Sequence, residues 1–133
     1  MQDWREEVAS DLEEAEKRLQ GLKDTVHGEP NDSQLNSIWR AYVSLEKSVF
    51  FIKVELDAEN PGAFVNVKAF RVPDERQAMV FALGNLQKGA MSFRLGDLHR
   101  SLGELRAARN YLRVLLREKR RLKARRRRLP PGT

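Results

Sequence analysis

The sequence has no cysteine, only two histidines and no long apolar run, and each shortage excludes a class of protein. Without thiols, the chain forms no disulfides, no thiolate nucleophile and no zinc–thiolate site. His27 and His99 are far apart in the sequence and make a poor pair of metal ligands. We therefore expect no metal, no other cofactor and no enzymatic activity.

No apolar stretch approaches the roughly 18–20 residues that a helix needs to cross a bilayer. The first ten residues, MQDWREEVAS, are acidic and lack the apolar stretch of a signal peptide. These absences predict a cytoplasmic protein that does not engage membranes. Arginine outnumbers lysine by 17 to 8, and this bias, together with the lack of cysteine, resembles the composition of thermophile proteins.

The positive charge of the chain is concentrated near its C-terminal end. The whole chain has a net charge of +6, yet nine of the twelve residues in 117–128 are Lys or Arg and one is acidic. That segment alone therefore carries +8, and the rest of the chain carries −2. So many like charges repel one another unless an anionic partner compensates them.

Apolar residues recur at intervals of three and four along most of the chain, which predicts four amphipathic helices. Pro73, followed by Asp74 and Glu75, suits the first turn of the third helix, and Gly96-Asp97 suits a turn before the fourth. Helices joined by short links are typical of an up-and-down four-helix bundle. The four apolar stripes run through residues 4–26, 35–56, 79–93 and 98–115.

The length of 133 residues suits a single folded domain. The apolar series thins after Leu116, so we assign 1–116 to a helical bundle domain and 117–133 to a basic C-terminal tail. The predicted fold class is therefore all-α, and the fourth helix is expected to continue as a basic C-terminal extension.

The stretch between the second and third helices has two interpretations. FIKVEL (51–56) and FVNVKAFRV (64–72) both alternate, so the two could form a β-hairpin. The unbroken heptad spacing favours a helix through about Asp57. A short irregular or β-hairpin insert is then expected around residues 58–72.

The basic tail has the chemistry to bind nucleic acid, because cations that neutralise phosphates release counterions from the polymer. The last aromatic residue before the tail is Tyr111, so we expect phosphate contact with little reading of bases. The sequence thus predicts a small protein that binds nucleic acid without sequence preference; RNA is the expected ligand, and the choice between RNA and DNA stays open. The candidate phosphate-binding residues are Arg117, Lys119, Arg120, Arg121, Lys123, Arg125, Arg126, Arg127 and Arg128.

Two alternatives place the function in protein contacts. In the first, the tail binds an acidic protein surface. In the second, the helices form a protein-interaction adaptor, which could be a homodimer. The aromatic residues Trp39, Tyr42, Phe50 and Phe51 are too many for one buried stripe. At helical spacing they are typical of a packed core, but some could line a pocket or a dimer interface.

Arg94 and His99 are separated by four residues, and this pattern resembles the catalytic motif of HEPN-type ribonucleases, which are also helical bundles. The resemblance implies a third possibility, a ribonuclease with both side chains facing one cleft. In that family the motif lies within one helix. Here Gly96-Asp97 is expected at a turn between two helices.

Overall fold

The computed structural model describes residues 3–23, 31–59 and 74–128, and these residues form four helices and no strand. The helices are α1 (Trp4–Leu22), α2 (Asp32–Glu59), α3 (Glu75–Arg94) and α4 (Leu98–Arg128). Their apolar stripes meet in one core, which confirms the all-α class and the helical bundle. No helix in the described ranges is both long enough and apolar enough to span a membrane.

Each helix is preceded or started by an Asp or Asn whose side chain accepts a hydrogen bond from a backbone N–H of the first turn. Asp3, Asn31, Asp74 and Asp97 have this role, at 2.7–3.3 Å. Such a side chain satisfies a donor that the helix itself leaves unpaired. The third helix consequently begins at Glu75, two residues after the predicted start, because Asp74 is its cap.

The α3–α4 hairpin has the predicted turn. Gly96 adopts φ 82°, a left-handed conformation that glycine accepts without cost, and it ends α3. The helices then approach closely, because a Cβ atom at Gly89 would lie 2.6 Å from Cδ2 of Leu105. The Ser101 hydroxyl donates a buried hydrogen bond of 2.8 Å to the Gly89 carbonyl oxygen.

The order of helix directions differs from the prediction. α1 and α4 each pack on both α2 and α3, and the two members of each contacting pair are antiparallel. Two contacts define the direction of each pair. For α1 they are Trp4–Phe51 and Asp11–Lys47 with α2, and Trp4–Phe93 and Glu16–Gln87 with α3. For α4 they are Trp39–Arg120 and Glu46–Arg109 with α2, and Phe81–Tyr111 and Gly89–Ser101 with α3.

It follows that α2 and α3 run in the same direction, at diagonal positions of the bundle. The up-and-down prediction is wrong at this step, because it requires successive helices to alternate in direction. Bundles with this order have a long crossover between the two parallel helices. The residues between α2 and α3, 60–73, lie outside the described ranges.

The choice between helix and hairpin is settled for the first half of the predicted hairpin. α2 continues to Glu59, and Ile52 and Leu56 are buried on its core face. The hairpin interpretation of 51–56 is therefore wrong, and the heptad spacing was the better guide. Of the insert expected around 58–72, residues 58 and 59 belong to α2, and the rest lies outside the described residues.

Candidate nucleic-acid interface

Helix α4 passes without a break through the predicted domain boundary at residue 116 and continues to Arg128. Lys119 follows Leu112 and Leu115 on the core face and is fully buried. Lys123 forms an ion pair with Asp32 at the start of α2. The first two turns of the basic segment therefore pack against α2, and they are not a free extension.

The cations of the predicted tail have different surroundings. Arg117, Arg120, Arg121 and Arg125 are exposed, and the Lys123 side chain is 30% exposed. Lys119, in contrast, is not accessible to a phosphate in this conformation, because the core face of α4 extends one turn beyond Leu116. The remaining candidates, whose side chains lie outside the described set, are Arg126, Arg127 and Arg128.

Carboxylates compensate only part of this charge. Arg121 lies 3.7 Å from Glu118, an exposed i,i+3 pair of small energetic value. Among the described residues, no carboxylate pairs with Arg117, Arg120 or Arg125. An open positive surface therefore remains on α4.

A row of arginines continues along α4 toward its turn with α3; Arg113, Arg117 and Arg120 are exposed, and Arg106 and Arg109 are half-buried. Five arginines spaced 3-4-4-3 form one row on α4, which we call the arginine row; at 1.5 Å per residue it is about 21 Å long. Glu46 of α2 lies 3.1 Å from one member and 4.0 Å from another. Among the described residues of α2, Glu46 is the carboxylate that pairs with members of this row. The row consists of Arg106, Arg109, Arg113, Arg117 and Arg120.

Two aromatic rings of α2 lie beside the arginine row. Trp39 is 43% exposed, and its ring stacks with that of Tyr42 at a centroid distance of 5.6 Å and an interplanar angle of 27°. The guanidinium carbon of Arg120 lies 5.4 Å from the Trp39 ring centroid, a cation–π distance. Arg113 donates a 3.4 Å hydrogen bond to the Tyr42 hydroxyl oxygen.

These side chains enclose a groove between α2 and α4, which we call the α2–α4 groove. Its volume is about 300 Å³, at the small end of the range for ligand sites. Buried Leu116 contributes to the apolar part of the lining, while the guanidinium groups surround it. The lining residues are Trp39, Tyr42, Arg113, Leu116, Arg117 and Arg120.

The sequence showed both parts of the groove but not their proximity. A spacing of three places Trp39 and Tyr42 on one face of a helix, yet they precede the tail by more than 70 residues. Only the antiparallel packing of α2 on α4 brings them together. The other two aromatic residues of the predicted group lie elsewhere: Phe51 packs near Trp4, and Phe50 is 62% exposed.

The structure places Arg94 at the end of α3 and His99 in the first turn of α4, both exposed. The turn at 95–97 separates them, so they do not lie on one helix as the motif of HEPN-type ribonucleases does. In the described part of the chain, no three His, Asp or Glu side chains are grouped to hold a metal ion.

No protein-family model matches this sequence, and no curated protein or solved structure matches it either.

Proposed function

We propose that the protein binds nucleic acid, with RNA as the expected ligand, mainly through the phosphate backbone and without sequence preference. The observation that carries the proposal is the exposed charge of Arg117, Arg120 and Arg125 on one helix, with which no carboxylate of the described residues pairs. Guanidinium groups bind phosphate oxygens in a bidentate manner, and each neutralised phosphate releases counterions. A rigid helix holds these groups in place, so less conformational freedom is lost on binding.

The test compares two triple variants of equal charge. Arg117, Arg120 and Arg125 are replaced by Gln in one, and Arg76, Arg94 and Arg100 in the other. The control arginines are exposed and lie outside the arginine row. The control therefore loses three charges without losing the proposed surface.

Binding of a labelled single-stranded RNA is measured by fluorescence anisotropy between about 50 and 200 mM salt, where phosphate contacts dominate the affinity. The variant that lacks Arg117, Arg120 and Arg125 should flatten the slope of log affinity against log salt by about 0.7 per lost phosphate contact. The control should keep most of the slope. Equal loss in both variants, or no binding by the unaltered protein at about 50 mM salt, contradicts the proposal.

A second candidate function, a protein-interaction adaptor, is favoured by a separate observation. Trp39, Val43, Phe50 and Val54 form an apolar stripe on the outer face of α2, each more than 40% exposed. Exposed apolar patches of this kind often mark protein contacts. Sedimentation of the protein at several concentrations tests self-association: a homodimer would shift to monomer on Phe50→Glu substitution, and a monomer at all concentrations would argue against the homodimeric adaptor.

A further inference from the structure

The α2–α4 groove combines features that phosphate binding alone does not require. The indole ring of Trp39 is half-exposed, and leaving its apolar surface in water is unfavourable. The arginines around it could bind a phosphate backbone without any help from this ring. Proteins that bind single strands combine a cationic path for the backbone with aromatic rings for the bases. Trp39 and Arg120 supply both elements within 5.4 Å of each other.

We propose that the α2–α4 groove binds a nucleobase of a single-stranded nucleic acid, stacked in the Trp39–Arg120 pair, while Arg113 and Arg117 contact the flanking phosphates. This inference rests on the proposed function and specifies its ligand: an unpaired strand and not a duplex. In a duplex, the faces of the bases are covered by their neighbours, so a stacking groove cannot use them.

The arrangement of the groove fits a base better than it fits a free anion. Its floor is apolar, with Leu116 buried, and its rim is cationic. A base has apolar faces and is joined through the sugar to a phosphate, so it matches floor and rim together. A guanidinium can also stack on a base, so Arg120 can move off the Trp39 ring that it now covers and contact the opposite face of the inserted base.

The electrostatics of the groove favour an anionic strand. Glu46 lies 4.0 Å from Arg113, one of the residues that line the groove. Among the described residues, no carboxylate pairs with Arg117 or Arg120. The Tyr42 ring stacks with Trp39 and supports the indole, so the rearrangement that a base requires falls on the Arg120 side chain. Because every base presents a π face, the groove should bind different bases alike.

The experiment compares a normal and an abasic strand with equal numbers of phosphates. The normal strand is an oligouridylate of about 12 nucleotides, within the span of known single-strand sites. The full chain is used, with Trp4→Phe as background so that Trp39 is its one tryptophan. Oligouridylate should quench the Trp39 fluorescence and bind more tightly than the abasic strand, which should leave the fluorescence unchanged.

Substitution of the ring gives the quantitative test, with Trp4 retained. Trp39→Leu should weaken oligouridylate binding by about fivefold to 150-fold, the range for loss of one stacked base. The same variant should bind the abasic strand as the unaltered protein does. Trp39→Phe keeps a ring and should restore most of the affinity. The matched control is Phe50→Leu, which removes an exposed ring of the same helix outside the groove.

The possible results separate the inference from the proposed function. If Trp39→Leu binds each strand as tightly as the unaltered protein does, and neither protein distinguishes the two strands, base stacking is wrong and phosphate binding stands. If the unaltered protein binds neither strand, both are wrong. If Trp39→Leu and Phe50→Leu weaken oligouridylate binding equally and both convert a dimer to monomer in sedimentation, the apolar stripe is a self-association surface and the groove is not a base site.

Discussion

Gly89 of α3 lies directly against Leu105 of α4, where a Cβ atom would come within 2.6 Å of Cδ2, 2.7 Å of Cγ and 3.3 Å of the backbone nitrogen of that leucine. Internal glycines can mark such close approaches between helices, and the sequence offered two of them in α3. Gly84, the other, has no atom within 4 Å of the position of its Cβ. The close approach of α3 and α4 therefore explains Gly89 but not Gly84.

We predict that Gly89→Ala destabilises the protein and that Gly84→Ala does not. Overpacking of a core costs about 1–3 kcal/mol, while the gain in helix propensity is at most about 1 kcal/mol. Gly84→Ala has the gain without the clash and should stabilise by up to about 1 kcal/mol. Urea unfolding followed by circular dichroism measures both. Equal effects of the two substitutions would contradict the close approach of α3 and α4.

The ion pairs of Lys47 predict a dependence of stability on pH. Lys47 of α2 donates a hydrogen bond to Glu7 of α1 and lies 3.5 Å from Asp11. The hydrogen bond to Glu7, together with the charge of Asp11, raises the pKa of Lys47 above its usual 10.5. The folded state thus binds this proton more tightly than the unfolded state, so the contribution is complete below pH 10.5 and disappears as the pH rises through the raised pKa.

Lys47→Gln should therefore lower the free energy of unfolding at pH 7, and the difference from the unaltered protein should shrink above pH 10.5. Lys88→Gln is the control, because Lys88 is exposed on α3 and should show little difference at any pH. Urea unfolding at neutral and alkaline pH measures the effect. A difference that persists unchanged at high pH would show that Lys47 contributes packing and not charge.

The burial of Lys119 predicts that its amine reacts slowly with acylating reagents, although it lies in the basic segment of α4. Its side chain is completely buried, whereas that of Lys17 is 76% exposed. Acetylation of Lys119 then requires local opening of α4, so we expect it to be at least about tenfold slower than that of Lys17 or Lys88. Mass spectrometry after timed exposure to acetic anhydride measures each rate. Similar rates would mean that α4 detaches from the bundle after Leu116.

The sequence predicts the core of the bundle well. The heptad residues of the first helix, Val8, Leu12, Ala15 and Leu19, are all buried, and the α3–α4 turn lies at Gly96-Asp97. These features depend on local spacing, which one helix carries by itself. The direction of α3 relative to α2 does not depend on local spacing, because an amphipathic helix can bury its apolar stripe equally well in either direction.

The site was harder to predict for a related reason. A lysine at a core-facing position appears in the sequence as one more tail charge, so Lys119 was grouped with the exposed cations although it continues the stripe of Leu112 and Leu115. Likewise, the partner of the arginine row is a pair of rings on α2. Their distance from the tail along the chain hides a contact that depends on which helices are neighbours.

Because α4 is unbroken, the proposed phosphate-binding surface and part of the hydrophobic core lie on the same helix. Truncation after Leu116 would remove the buried Lys119 and the Lys123–Asp32 ion pair along with the exposed cations, and would weaken the packing at this end of the bundle. Conversely, a polyanion seated on Arg117 and Arg120 would brace that end against α2. If the proposed surface binds a strand in this way, binding and folding are thermodynamically coupled, and a saturating strand should raise the melting temperature of the whole domain.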